Sequence, residues 1–144
     1  MPSLITEYPY LVGNLTAMVI YGIALAVYPA QRRPMLLSSV LAVPLGLFAI
    51  LFVPEYWNPK RVAVFLIAPE DFIFMFVVGG AAWLGTVWFV RRRIRLQFNA
   101  SVFLRRCVAS YGFGIVVGGS LYLTGMGPVR AGLFTMAAWS LLLL

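Results

Sequence analysis

The stretch Pro69-Glu70-Asp71-Phe72-Ile73-Phe74-Met75-Phe76-Val77-Val78-Gly79-Gly80-Ala81-Ala82-Trp83-Leu84-Gly85-Thr86-Val87-Trp88-Phe89-Val90 decides the fold class. From Phe72 to Val90 it carries no charged residue, and it then meets Arg91-Arg92-Arg93. About 20 apolar residues, at 1.5 Å per residue, cross a hydrocarbon core ~30 Å thick. The stretch therefore reads as a membrane-spanning helix ending at Val90. Working outward, Pro9 to Tyr28 and Met35 to Val53 read in the same way. A fourth apolar segment runs from about Cys107 to Met126, and a fifth from Ala131 to Leu144, which is short for a span. The expected fold is all-α: a polytopic transmembrane helical bundle of about five helices, forming a single integral membrane domain over residues 1–144.

Composition leads to the same class. Of 144 residues, 62% are apolar and 10% charged, eleven basic and four acidic. A soluble domain has about 25% charged and 45–50% apolar residues. A soluble globular domain, a disordered tail and a nucleic-acid-binding module are excluded. The net charge of +7 lies mostly in arginine clusters between apolar runs, so no nucleic-acid partner is expected. The absence of histidine removes histidine-ligated haem or chlorophyll, histidine metal sites and histidine-based triads. A single cysteine, Cys107, permits neither an internal disulfide nor a CxxC site. No metal site is expected. Met1–Tyr10 carries Glu7 in place of a basic leader region, and no small-residue cleavage site follows, so the N-terminus is expected to be retained.

Basic residues set the expected orientation. Arg32 and Arg33 follow the first segment; Arg91, Arg92, Arg93, Arg95, Arg105 and Arg106 fall between the third and fourth. Lys60, Arg61 and Arg130 fall on the other side. This asymmetry places the N-terminus outside the cytoplasm and the arginine-rich loops inside, in the cell (inner) membrane. The arginine run reads as a topology signal with lipid contacts, or as an anionic-lipid site. The steps Gly114/Gly118, Gly13/Ala17, Gly22/Ala26 and Ala81/Gly85 predict close helix contacts.

Glu70 and Asp71 are the costly residues, because they interrupt an apolar stretch running from Val62 to Val90. If that whole stretch is one helix, Glu70 lies about 13 Å in from its end. An ionised group there costs roughly 2.5–3.5 kcal/mol, and a neutral one is a Brønsted acid held in hydrocarbon. Alternatively Pro69 opens the helix, with the acids in its first turn against the positive end of the dipole. Val62–Ala68 is then re-entrant or interfacial. Both readings stay open in the sequence. Around the acids Phe72, Phe74 and Phe76 alternate, and aromatic faces can stabilise a cation. The stretch from Val53 to Arg61 is rich in Pro, Trp and Tyr and reads as an interfacial turn.

These residues carry a resemblance. Tyr8-Pro9-Tyr10-Leu11 at the first helix, Trp57-Asn58-Pro59 with Arg61 in the following loop, and Pro69-Glu70-Asp71-Phe72-Ile73-Phe74 together resemble one subunit of the heterodimeric membrane lycopene cyclase family, over about residues 8–90. In that family an apolar residue usually separates the proline from the acid pair, whereas here Pro69 directly precedes Glu70. The resemblance implies a lycopene-cyclase-like three-helix unit over residues 1–90. It implies a proton-initiated, redox-neutral ring closure of a linear carotenoid end group, without cofactor. Glu70 and Asp71 are then the catalytic acid and base, and Phe72, Phe74, Trp57 and Asn58 the substrate-binding residues. Residues 91–144 supply two further helices, which read as an incomplete second, inverted unit lacking an acid pair. Membrane lipids, a carotenoid and a second membrane subunit are the implied partners. Two rivals stand beside the enzyme. One is a non-enzymatic integral membrane subunit of a larger complex, for example photosynthetic, that packs helices and holds carotenoid, quinone or lipid. The other is a small transporter with the acid pair as a proton relay, for which no other intramembrane charge completes the path.

Overall fold

The computed structural model describes residues 7–52, 60, 67–90 and 99–142; Trp57, Asn58, Arg61 and the run from Arg91 to Arg95 lie outside the described residues. Among the described residues the chain is helical, without strands. It divides into two compact units, Met1–Gln97 and Phe98–Leu144.

In the first unit, helix α1 spans Pro9–Val27, with proline at its first position, where a missing N–H leaves no bond unmade. Its far end is closed from the next element: Arg32 Nε donates to the Leu25 carbonyl at 2.7 Å, satisfying one of the last-turn acceptors. Helix α2 spans Arg32–Ala42 and tightens into a 3-10 segment over Val43–Phe48, with Pro44 near its start, before a short helix at Ala49–Phe52. Proline cannot donate into the preceding turn, which accounts for the change of pitch. Helix α3 spans Pro69–Val90. Of the two readings of the acid pair, the helix start is therefore the one realised. The Tyr21 ring lies 5.6 Å from that of Phe76, and Tyr10 reaches Asp71, so α1 and α3 run the same way. Gln31 meets Trp83, while Phe72 lies against Gly46, so α2 and its 3-10 extension run opposite to α3.

The closest packing in this unit falls at Gly79 and Gly80. A Cβ on Gly79 would lie 2.5 Å from the Ala42 Cβ and 2.6 Å from the Ser38 carbonyl oxygen. A Cβ on Gly80 would collide with the Tyr21 ring and come within 2.5 Å of Ser39 Oγ. Of the glycines in the expected steps, Gly13, Gly22, Gly85 and Gly114 would meet nothing within 4 Å with a Cβ added, and Gly118 alone has a neighbour. Small residues four apart permit close approach, but only the face that meets a neighbour uses it.

In the second unit, helix α4 spans Ala100–Leu123. It begins seven residues before the expected start at Cys107, because Asn99 caps it, accepting from the Ser101 and Val102 N–H groups at 3.1 and 3.2 Å. Arg105 and Arg106 thus lie on the helix and not in a loop. A π-helical turn covers Gly114–Gly118. The helix ends on Gly125, whose φ of +87° only glycine adopts without strain. The bonds Gly125 N–H to Tyr122 C=O and Met126 N–H to Leu121 C=O complete a Schellman closure. Helix α5, Pro128–Leu142, returns antiparallel, with Gly118 against Thr135 and the Phe113 and Trp139 rings 5.0 Å apart.

Among the described residues three helices are long and apolar enough to cross a membrane: Pro9–Val27, Pro69–Phe89 and Ala100–Leu123. Among the described residues polar side chains are buried beside the apolar core of Tyr21, Met35 and Val77, and many large apolar residues face outward. Asn14, Ser39, Glu70, Asp71 and Thr135 are buried, while Val19, Ile23, Phe89, Ile115 and Leu123 are exposed. Exposed hydroxyls turn inward on their own helices. Thr16, Thr86, Ser120 and Ser140 each donate to the carbonyl four residues back, at 2.6 to 2.9 Å, which leaves the helix exterior without a free hydroxyl donor at these positions.

Candidate site at the start of the third helix

The site is assembled by the first turn of α3. Pro69 fixes the backbone dihedral that starts the helix, and Asp71 follows at the third position. The Asp71 N–H donates to the Ala68 carbonyl at 3.0 Å, and Asp71 Oδ2 accepts from the Ala68 N–H at 2.9 Å. This is the return arm of a capping box, in which an acid at the third position reaches back to the capping residue's N–H. Ala68 itself is fully buried, so its N–H has no access to solvent as a substitute.

Helix α1 supplies the other side. Tyr10 Oη donates to Asp71 Oδ1 at 3.1 Å, and Asn14 Nδ2 donates to the Glu70 carbonyl oxygen at 3.1 Å. Tyr10 and Asn14 are four apart and so share one helix face. Two helices are tied together at the acid pair by one side-chain and one main-chain acceptor. Glu70 is 2% exposed and Asp71 5%. Two carboxyl groups adjacent in sequence are thus withdrawn from the surroundings at one end of an apolar helix.

The aromatic residues diverge. Phe72 is half-buried against the 3-10 segment, where a Cβ on Gly46 would lie 2.9 Å from its Cδ1. Phe74 is 40% exposed, its ring 6.4 Å from that of Tyr10. The structure therefore brings Glu70, Asp71 and Phe74 together with Tyr10, and turns Phe72 towards Gly46. Trp57 and Asn58 fall outside the described residues. Among the described residues no three His, Cys, Asp or Glu side chains converge as a metal site would require.

Below the acids, two further polar contacts cross the unit. Tyr21 Oη and Ser39 Oγ share a buried hydrogen bond of 2.8 Å, and Trp83 Nε1 donates to Gln31 Oε1 at 3.1 Å. Beside them an apolar groove of about 490 Å³ is lined by Ala17, Tyr21, Ala24, Met35, Val77 and Ala81, among others. Its nearest residue on α3, Val77, is about 9 Å along the helix from Asp71. The groove and the acids are neighbours on one unit but not one cavity. Chemically, the acid pair can hold and exchange a proton, and the groove can take a hydrocarbon chain.

Tyr10 was legible only as part of a helix-opening motif, and Asn14, Tyr21 and Ser39 carried no motif at all. The signal was spacing: Tyr10, Asn14 and Tyr21 fall on one face of an otherwise apolar helix. In an apolar helix, polar residues turn towards protein, so such a stripe marks the inward face.

No family model, characterised protein or solved structure matches this chain.

Proposed function

We propose that the protein is a multi-pass integral membrane protein, its N-terminus outside the cytoplasm, and that its first unit performs lycopene-cyclase-like chemistry. In this reading an acid protonates the terminal double bond of a linear carotenoid end group. The resulting cation closes a ring and a base removes a proton, with no net oxidation. The observation that carries the reading is the burial of both Glu70 and Asp71 at one end of an apolar helix, with Phe74 beside them and an apolar groove further along the same helix. A carboxyl sequestered from water is the type of group able to deliver a proton to an alkene. The second helix pair, without an acid pair of its own, agrees with a requirement for a partner subunit.

A second reading, the non-enzymatic membrane subunit, is favoured by a different observation. Both Asp71 oxygens serve in holding helices, one to Tyr10 and one to the Ala68 N–H, which is sufficient reason for an acid at that place. In that case the groove holds carotenoid, quinone or lipid.

The test is expression in a lycopene-accumulating bacterium, alone and with candidate partner subunits, followed by chromatography of the carotenoids. The parent is expected to yield cyclised product. Glu70→Gln and Asp71→Asn should each abolish it without loss of membrane insertion, a fall at or beyond the 10²–10⁴-fold typical of general acid–base catalysis. Cyclised product from the double amide variant refutes the catalytic role. No product from the parent with any partner favours the second reading.

A further inference from the structure

The groove on the first unit has two unlike ends. Along α1 it runs from Ala17 to Tyr28, and along α3 from Val77 to Trp88. At 1.5 Å per residue each wall is ~16 Å long, about half of a hydrocarbon core ~30 Å thick. The end at Ala17 and Val77 is apolar, whereas the other end carries Tyr28, Gln31 and Trp88. Tyr and Trp are the side chains that settle at a headgroup boundary. Arg32 and Arg33 follow Gln31 directly, and both are exposed. Arg32 is fixed at this end, because its Nε donates to the Leu25 carbonyl, between the lining residues Ala24 and Tyr28. That bond spends one of the five donors of the guanidinium. Glu7, Glu70 and Asp71, the acids among the described residues, all lie at the opposite ends of α1 and α3. Two positive charges thus stand at one end of an apolar groove, with the described acids of the unit at the other.

We propose that this groove binds an anionic phospholipid, with one acyl chain between α1 and α3 and the phosphate on Arg32 and Arg33. Length selects the chain: a lipid chain reaches from the headgroup to the bilayer midplane, ~15 Å, and the groove extends about that far from its polar end. Its volume of about 490 Å³ is that of a small-ligand site. Charge selects the head. A planar guanidinium forks onto two phosphate oxygens, whereas a pure hydrocarbon offers the arginines nothing. In the proposed orientation this end faces the cytoplasm, where anionic lipid and basic residues attract one another. Small residues make the room: Ala24, Ala81 and Gly85 line the groove, and a Cβ on Gly85 would meet nothing within 4 Å. The assignment does not rest on the cyclisation reading, since Asp71 lies ~9 Å along α3 from Val77 and shares no cavity with the groove.

The test is native mass spectrometry of the full chain in mild detergent, titrated with dioleoylphosphatidylglycerol or dioleoylphosphatidylcholine. The two lipids share their chains and differ in net charge. The parent is expected to bind the phosphatidylglycerol tighter by on the order of tenfold. The double variant Arg32→Gln, Arg33→Gln keeps an amide donor for Leu25 and should bring the two lipids level. Gly85→Leu fills the groove and should weaken both by about tenfold, while Gly22→Leu adds the same bulk to α1 outside the lining residues and should change neither. Equal affinity for the two lipids in the parent, or a preference that survives loss of both arginines, overturns the headgroup assignment. Unchanged binding in Gly85→Leu overturns the groove as the place of the chain, and so does glycerol phosphate binding as tightly as the lipid. Lycopene that displaces the phosphatidylglycerol from the parent, and fails to do so in Gly85→Leu, gives the groove to a carotenoid and overturns the proposal. The arginine variants stand even where Gly85→Leu does not fold. Cyclisation by the parent without a preference for phosphatidylglycerol sinks this proposal alone; the preference without cyclisation sinks only the cyclase reading.

Discussion

At Gly80 one methyl group decides whether α1, α2 and α3 can meet. Its place would already be taken by the Tyr21 ring and by Ser39 Oγ, which are hydrogen-bonded to each other and cannot both withdraw without losing that bond. Overpacking of this kind costs about 1–3 kcal/mol, which outweighs the gain of up to ~1 kcal/mol that alanine brings to a helix interior. Gly85, five residues on, faces open space, and there only the gain applies. Gly80→Ala should therefore lower, and Gly85→Ala hold or raise, the thermal midpoint of the detergent-solubilised protein. Equal midpoints for the two would show that the Gly80 contact is not tight. The residue scale also shows why the acids were ambiguous in sequence: Pro-Glu-Asp is compatible with a helix start and with an interruption of a longer helix. The Ala68 N–H bond to Asp71 Oδ2 separates them, and that bond is a matter of side-chain direction, which spacing alone does not state.

Among the helices, α4 and α5 are the clearest case of a motif that is half right. Gly114 and Gly118 form one small-residue step, yet only Gly118 has a neighbour, with Thr135 Oγ1 3.1 Å from where its Cβ would be. Thr135 is buried there and spends its hydroxyl on the Ala131 carbonyl at 2.7 Å, so it cannot rotate away without giving up that bond. Gly118→Leu should destabilise the α4–α5 hairpin by about 1–3 kcal/mol, while Gly114→Leu should stay within about 0.5 kcal/mol. Denaturation of the purified protein followed by circular dichroism measures both, and a larger loss at Gly114 would contradict this packing. The early start of α4 has a related cause. Hydropathy finds where a helix becomes apolar enough for a membrane, whereas the backbone turns helical where a cap satisfies its first N–H groups, here at Asn99.

Across the whole molecule the proposed orientation depends on arginine asymmetry, and it makes a direct prediction. Lys60, exposed, lies on the outer side in that orientation. In a Cys107→Ser background, Lys60→Cys in intact cells should react with a membrane-impermeant maleimide; reaction only after permeabilisation would invert the topology.

The sequence by itself determined that the chain is helical and apolar, where α1 begins and ends to within a residue, and where α3 ends; the start of α3 it left open between two readings. Uninterrupted apolar length and the prolines at positions 9 and 69 are local properties of the chain. It also isolated Glu70 and Asp71, because charge in an apolar run is conspicuous without any fold. Only the tertiary structure decided that Tyr10 and Asn14 belong to the acid pair, and that Gly79, Gly80 and, of the spaced glycines, Gly118 carry the close approaches. It alone decided that the groove opens about 9 Å along α3 from the acids. These depend on which faces of separate helices meet, and a face is fixed by its partner helix as much as by its own residues.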